Sequence, residues 1–518
     1  MTVAHVLAID LGSTGVKTAV VDADGVVRAH AGEVLPLLVG DDGSVEQDPH
    51  GWWAALGRCS RRAIAASGLP AHDVRLVAVT SQYTSTVAVD ERGMPLANTI
   101  MWMDQRGARH HGAVPTDDAT RARWVEVHGL MPGGNDDIGH VGIFRDLMPD
   151  VYAAAHAFVE PMDHLAARLT GTVTATQNTM FPMLCVDNRV WGATAYSEEL
   201  LGLSGLDPAK LPPLMPLGAP RGRVTADAAA HLGVAADALV AGATIDSVTT
   251  AVGAGAIDPD GCAFVVGTTS VMATHLDRKC HDIEHGLTTA PSPLPGSWFL
   301  VAENGIGGKA LDVFVNQIVY AADGLTGDAP DDAYERVLRL AAEVPAGANG
   351  VLFGPWLIGS LAPGFHRRTR AGFVNVQLGT TRGDLARAVL EGVGLNGAWL
   401  LPHFAALAER RYDTITMGGG GAASPAWCQI IADCFGAQVR RLGSSRTTNA
   451  HGAALLALVE TGACSLRDVP DLLDVREVHE PDERHAAVYA RLRDALVDFH
   501  DRCAPFYDAL ASTRGATP

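Results

Sequence analysis

Lysine is scarce in this 518-residue chain: only positions 17, 210, 279 and 309 carry it, four of 39 basic residues. Acid outweighs base, 58 residues against 39, for a formal net charge of −19. A surplus of that sign disfavours nucleic acid or an anionic membrane surface as the main ligand, and neither is an expected partner. Long apolar runs are missing too. None approaches the ~20 residues of a membrane span, and the stretch at 351–358 is short and interrupted by Gly and Pro. No basic segment followed by an apolar one opens the chain, so a cytoplasmic location is expected. Cysteine pairs are absent: Cys59, Cys185, Cys262, Cys280, Cys428, Cys434, Cys464 and Cys503 include none at the two-residue spacing of a zinc or redox motif. Most are read as small buried hydrophobes in a reducing compartment. At 47% hydrophobic and 19% charged the composition is that of a globular protein, too long for one core.

What is present is a repeated pattern. An apolar run at 6–9 leads into Asp10-Leu11-Gly12-Ser13-Thr14-Gly15-Val16-Lys17, and a second run at 18–21 reads as the return strand of a hairpin. Glycines at 12 and 15 let the backbone approach an anion, Ser13 and Thr14 add hydroxyl donors, and Asp10 could hold a water on a divalent metal. Lys17 offers a cation, with a solvated surface lysine as the equal alternative. The arrangement recurs half a chain later, where 262–266 runs into Gly267-Thr268-Thr269 within a hairpin at 262–275. Between them, 52–66 has helical spacing, 74–80 and 86–90 read as strands, 118–235 is mostly helix and loop, and the strand 239–243 ends at Thr244-Ile245-Asp246. The turn-rich passage 253–261 marks a domain boundary, giving 1–257 and 258–518. In the second part, helices are expected at 307–322, 331–343, 384–401 (ended or kinked by Pro402), 425–435, 450–460 and 484–501, and a strand at 414–417 runs into four glycines at 418–421. Four in a row exceed what a turn requires, which favours a bound nucleotide. Two phosphate-type loops on two hairpins predict a two-lobed nucleotide-binding protein.

Further motifs stand in order: Val45-Glu46-Gln47-Asp48-Pro49 with Trp52-Trp53, Trp102-Met103-Asp104-Gln105-Arg106, Asp246 before Gly253-Ala254-Gly255, Arg387 through Gly392, Gly419 through Ser424 with Trp427, Gln429 and Asp433, and Gly452-Ala453-Ala454. Together with the two loops this set resembles the FGGY family of carbohydrate kinases, its xylulokinase branch most closely. The resemblance implies an α/β, two-lobed actin-like/hexokinase-like (ribonuclease H-like) fold, duplicated, with a cleft between a sugar-binding first lobe and a nucleotide-binding second. It implies ATP-dependent phosphorylation of a small sugar, polyol or sugar acid, a pentulose such as xylulose being the nearest match, with ATP and Mg2+ as cofactors. Asp246 would be the catalytic base, and Asp10 would hold Mg2+ through water. Gly12, Ser13, Thr14, Gly267, Thr268, Thr269, Gly308, Gly419, Gly420, Gly421 and Ala422 would line the nucleotide. Gln82, Tyr83, Thr84, Trp102, Asp104, Arg106 and Asp246 would border the substrate. A homodimer is compatible with this. Gly307-Gly308-Lys309 is not a Walker loop, since Glu303 stands at its upstream glycine and Ala310 at its Ser/Thr, though the glycine pair can still approach the nucleotide.

The departures cluster in the substrate half. Gln82-Tyr83-Thr84-Ser85 replaces the Gln-Met-His-Gly of xylulokinases and the Gln-Arg-Glu-Thr of glycerol kinases, Ser247 follows the base, and Gly359-Ser360-Leu361-Ala362-Pro363 lacks a charged pair. Arg367, Arg368 and Arg370 could serve an acidic sugar or simply lie in a solvated loop. Such polar groups decide which hydroxylated substrate is accepted, so xylulose itself is doubtful. A non-catalytic nucleotide or sugar sensor is the alternative, disfavoured because Asp10 and Asp246 are both present. A dinucleotide oxidoreductase built on the 418–421 glycines lacks the acidic ribose ligand.

Overall fold

The computed structural model describes residues 5–112, 114, 117–325, 327–443 and 447–514, the last four by backbone alone. β1 (His5–Gly12), β2 (Gly15–Asp22) and β3 (Val27–Val34) form an antiparallel meander turned by Asp22–Gly25. α1 (Pro49–Ser67) begins where the Asp48 carboxylate accepts the His50 and Gly51 N–H groups, with Pro49 at its first position. It buries Trp52, Leu56 and Ile64 and returns the chain to β4 (Val74–Ser81). An insertion follows with its own core around Trp124, Phe144, Phe158 and Met183. It contains α2 (Asp137–Leu147), and α3 (Pro161–Thr170) then returns to the first sheet's core with Met162, Leu165 and Leu169. β5 (Leu239–Ile245) then completes the first sheet and leads directly into α4 (Asp246–Gly253).

The second sheet repeats the plan with β6 (Ala263–Val266), β7 (Thr269–Leu276), β8 (Leu287–Pro291) and β9 (Trp298–Ile306), followed by the short helix α5 (Gly308–Val313). The long helix α6 (Arg382–Ala408), β10 (Thr414–Gly418), α7 (Pro425–Phe435), β11 (Gln438–Leu442), α8 (Thr448–Glu460), β12 (Val475–His479) and α9 (Ala486–Arg514) close the chain. In the first sheet the core order is β5-β4-β1-β2-β3, and in the second β11-β10-β6-β7-β9. In each, the first strand pairs antiparallel with the second and parallel with the fourth, and the fourth parallel with the fifth. The expected duplication is therefore a duplication of topology, strand for strand.

One helix crosses between the halves. α8, late in the sequence, lays Ala450, Ala453, Ala454 and Ala457 on Val6, Ala8, Ala19, Leu76 and Ala78 of the first sheet. It also passes α4 so closely that a Cβ on Gly452 would stand 1.8 Å from the Thr249 carbonyl oxygen. Small side chains are the condition for that approach. Three expectations change. α6 does not end at Pro402: the ring faces solvent, and buried Phe404 and Ala408 keep the last turns packed. The helix expected at 307–322 is the short α5 followed by a π-turn, Phe314–Val319. α9 runs beyond 501. All eight cysteines are free thiols, five of them buried. No helix among the described residues is long and apolar enough to cross a membrane.

Candidate active site

Parallel register gathers the functional side chains at one end of the first sheet. Asp10 pairs with Thr80 and Thr80 with Thr244; Leu11, Ser81 and Ile245 form the next row. One step further lie Gly12, the last residue of β1, and Gln82 and Asp246, the first beyond β4 and β5. Sites in open α/β sheets lie outside such carboxyl ends. Asp246, half-buried, is the first residue of α4. Burial and then repulsion from Asp10 push its carboxyl up to about 7, against weaker help from Ser247, whose Oγ donates from 3.4 Å. Burial likewise raises the Asp10 carboxyl, opposed by the Lys17 ammonium 3.8 Å away and by Asn449. Thr250 ties this corner together, donating to the Asp246 carbonyl at 2.8 Å and bonding the Asn449 side chain. Two acidic side chains, each raised by burial and Asp246 further by Asp10, with one half-exposed lysine nearby, leave negative charge for a divalent cation to neutralise, and the donors are the oxygens such a cation prefers. Among the described residues no group of three or more His, Cys, Asp or Glu could hold a metal unaided. A cation here would share its coordination with a phosphate ligand.

Residues 82–85 and 102 form the second wall. Gln82 is buried, donating to the Gln47 Oε1 at 3.4 Å, while its own Oε1 has no partner among the described residues. The Tyr83 phenol is driven upward by burial and then by Asp246, with Ser247 as its hydrogen-bond neighbour and the acidic side chains of Glu303 and Glu160 nearby. Trp102 spans the two loops: its indole N–H donates to Ser13 Oγ at 3.1 Å and its backbone N–H to Ser85 Oγ at 3.1 Å. Gln47 supports the same corner, donating to the Ser13 carbonyl at 2.7 Å and accepting from the Trp52 indole at 3.1 Å. Asp104 and Arg106 are not free to read a substrate. Asp104 is fully buried, accepts the Val45 N–H at 3.0 Å and binds Arg106 at 2.7 Å, and Arg106 also reaches Glu46 and Asp42. Charge pairing makes them a brace between the 102–106 segment and the strand at 45–47.

Around the second hairpin, where the sequence places the nucleotide, the loops approach each other differently than the sequence suggests. Gly267 N–H closes on the Thr269 carbonyl at 2.8 Å, and Gly308 N–H on the Gly267 carbonyl at 2.7 Å, so neither amide is available to a phosphate. Exposed Thr268 and Thr14, with half-buried Gly12, Ser13 and Thr269, remain as the polar lining. The glycine run is a tight turn whose Ala422 N–H bonds Gly419 O at 3.1 Å. Gly419 has φ +79, and a Cβ there would stand 2.6 Å from the Val266 carbonyl; Gly421 meets the Val266 side chain at 2.8 Å. Packing on the second hairpin thus accounts for two of the four glycines, and Gly420, exposed with open space beside it, is the one left facing outward. Other motif residues are structural: Arg387 binds Glu391 at 2.7 Å and Tyr489 of α9 at 2.8 Å, and Asp433 holds Gln429, the Asp482 N–H and His485. Lys309 is paired with Asp312. Arg367 lies over Phe365, Arg368 faces Asp508 of α9, and Arg370 bonds its own loop's carbonyls.

Two sheet copies of this topology, each offering a hydroxyl-bearing hairpin turn, define an actin-like, ribonuclease H-like two-lobed protein with a carboxylate pair at one set of strand ends. The N-terminal domain of the FGGY family of carbohydrate kinases matches residues 5–253, and the C-terminal domain matches 262–461. The chain belongs to the FGGY family of carbohydrate kinases, enzymes that phosphorylate sugars. It is 26% identical to a xylulose kinase of Staphylococcus epidermidis over 93% of this chain and 94% of that one. It is 24% identical to a gluconokinase of Bacillus licheniformis, with 98% of each covered. A gluconate kinase structure from Lactobacillus acidophilus shares the fold at a TM-score of 0.83 and 19% identity, covering 98% of this chain and 99% of that one.

Proposed function

We propose that the enzyme transfers the γ-phosphoryl group of ATP to a hydroxyl of a small uncharged ketose or polyol, with Asp246 as general base. The carrying observation is the Asp246 carboxyl itself: poised at about 7 by burial and Asp10, at the meeting point of three strand ends, beside Tyr83 and Ser247. A base near neutrality is ionised often enough to accept a proton and basic enough to take one as attack begins. Gln82 Oε1, the Tyr83 phenol and Ser247 would read the acceptor hydroxyls, and Trp102 would pack on its carbon skeleton. Among the described residues the ionisable neighbours of Tyr83 are all acids with no cation among them, and Arg106, Arg367, Arg368 and Arg370 are engaged elsewhere, which favours a neutral acceptor over an aldonate. Gly12, Ser13, Thr14, Thr268, Thr269 and Gly420 would line the nucleotide, and Asp10 would hold Mg2+, directly or through water. Bound Mg·ATP supplies the phosphoryl group and neutralises its charge. By this reading residues 1–257 form the sugar lobe and 258–518 the nucleotide lobe, with α8 lent to the first sheet.

ADP release measured across ketoses, polyols and aldonates tests this. Turnover is expected with a ketose or polyol. Asp246→Asn should lower it about 10³-fold while MgATP binding persists. Full activity in that variant would remove Asp246 from the chemistry.

A further inference from the structure

The turn at 82–85 contains strain that phosphoryl transfer does not explain. Thr84 has φ +59, a region that a β-branched residue rarely enters because its Cβ crowds the backbone. Strain of this kind persists where surroundings over-determine it, and it gathers at binding sites. Here the surroundings are Glu160. Its two carboxyl oxygens accept the backbone N–H of Thr84 at 3.0 Å and of Ser85 at 3.3 Å. Glu160 stands at the N-cap of α3, yet its side chain makes no cap bond to that helix; it turns to the 82–85 backbone instead. It is 1% exposed. Behind it lies the buried Asp137 carboxyl, which accepts from Thr86 Oγ1 at 2.7 Å, and His140 Nδ1 meets that same hydroxyl at 3.1 Å. Burial, and then the nearby Asp137, hold the Glu160 carboxyl well above the usual range. Ser85 passes the order on through its Oγ to the Trp102 backbone N–H.

We propose that Glu160 is a positioning residue for the acceptor pocket: its buried carboxyl clamps the Thr84 and Ser85 amides and so fixes how Tyr83 and Trp102 face the reacting hydroxyl. This rests on the reading of Tyr83 and Trp102 as acceptor-binding. No motif or strand register marks residue 160 in the sequence, and the clamp reaches across 75 residues of chain.

The test compares Glu160→Ala, Glu160→Gln and Trp102→Ala by hydrogen exchange and by steady-state kinetics with whichever of D-xylulose and glycerol is turned over faster. In Glu160→Ala the amides of 82–87 should exchange about 10-fold faster, with peptides of 263–276 unchanged. The acceptor KM should rise about 10-fold with the ATP KM within twofold, and Glu160→Gln, which keeps an acceptor oxygen, should recover most of both. A role confined to folding would lower the melting temperature without moving the acceptor KM. Unchanged exchange, or an unchanged acceptor KM in Glu160→Ala beside a raised one in Trp102→Ala, overturns the clamp and leaves the acceptor site standing. An unchanged acceptor KM in both overturns the acceptor site as well. Should Glu160→Ala not fold, Ser85→Ala cuts the same chain more gently: about a threefold rise in acceptor KM is expected, and a wild-type value overturns the proposal.

Discussion

The turns at 82–85 and 418–424 occupy the same point of the two sheet copies, each leaving the fourth strand, and they are built in opposite ways. The second is glycine packed on backbone: Gly419 and Gly421 lie against Val266 of the neighbouring hairpin, and the turn closes with its own hydrogen bonds. The first is polar and strained, held from outside by Glu160 and joined to Trp102 through Ser85. On the proposed reading the second turn would receive the nucleotide, which is the same for every sugar acceptor, so close packing could fix it. An acceptor sugar must be distinguished from its isomers, which takes side chains with defined hydrogen-bond directions. On that reading the duplication would keep the frame and divide the tasks.

Substitutions that damage one turn should spare the other. The largest effect is expected from Gly419→Ala, which places a Cβ against the Val266 carbonyl at a left-handed φ: about 2 kcal/mol or more of lost stability and weakened MgATP binding, with the acceptor KM of the remaining folded enzyme unchanged, by thermal unfolding and calorimetry. A raised acceptor KM there would break the division of tasks. Trp102→Ala should do the reverse, raising the acceptor KM roughly 10- to 30-fold, on the order of the 1.4–2 kcal/mol of one lost aromatic contact, with MgATP affinity falling far less, about twofold, through the lost Ser13 hydrogen bond. Smallest is Gly420→Ala, where the Cβ meets open space: stability within about 0.5 kcal/mol, and any loss appearing only in nucleotide affinity.

Much of this was legible in the sequence. The hairpin loops, the apolar strand before Asp246 and the small residues of 450–460 follow from local pattern, and their order carried the family. What local pattern could not show is what a side chain is spent on. Asp104 and Arg106 read as a polar pair beside the substrate, but their geometry closes on each other and on Val45 and Glu46. The four glycines read as a nucleotide floor, yet two of them answer to a strand more than 150 residues earlier. Glu160 and Asn449 reach the site by contacts between distant segments, without periodicity or spacing to mark them. Pro402 reads as a helix end because its missing N–H is a local fact, while the burial of Phe404 that overrides it is not.

The central claim is that Asp246 works as a base whose carboxyl is lifted by burial and by Asp10. The most direct measurement is kcat/KM for the acceptor between pH 5 and 9. A carboxyl raised to about 7 is protonated and idle below that value, so activity should climb tenfold per pH unit at the acid end and level off above an apparent pKa near 7. Removing the opposing cation with Lys17→Ala should move the bend to higher pH, since Lys17 lowers the Asp246 pKa. A profile flat down to pH 5, or a bend indifferent to Lys17, would contradict the account.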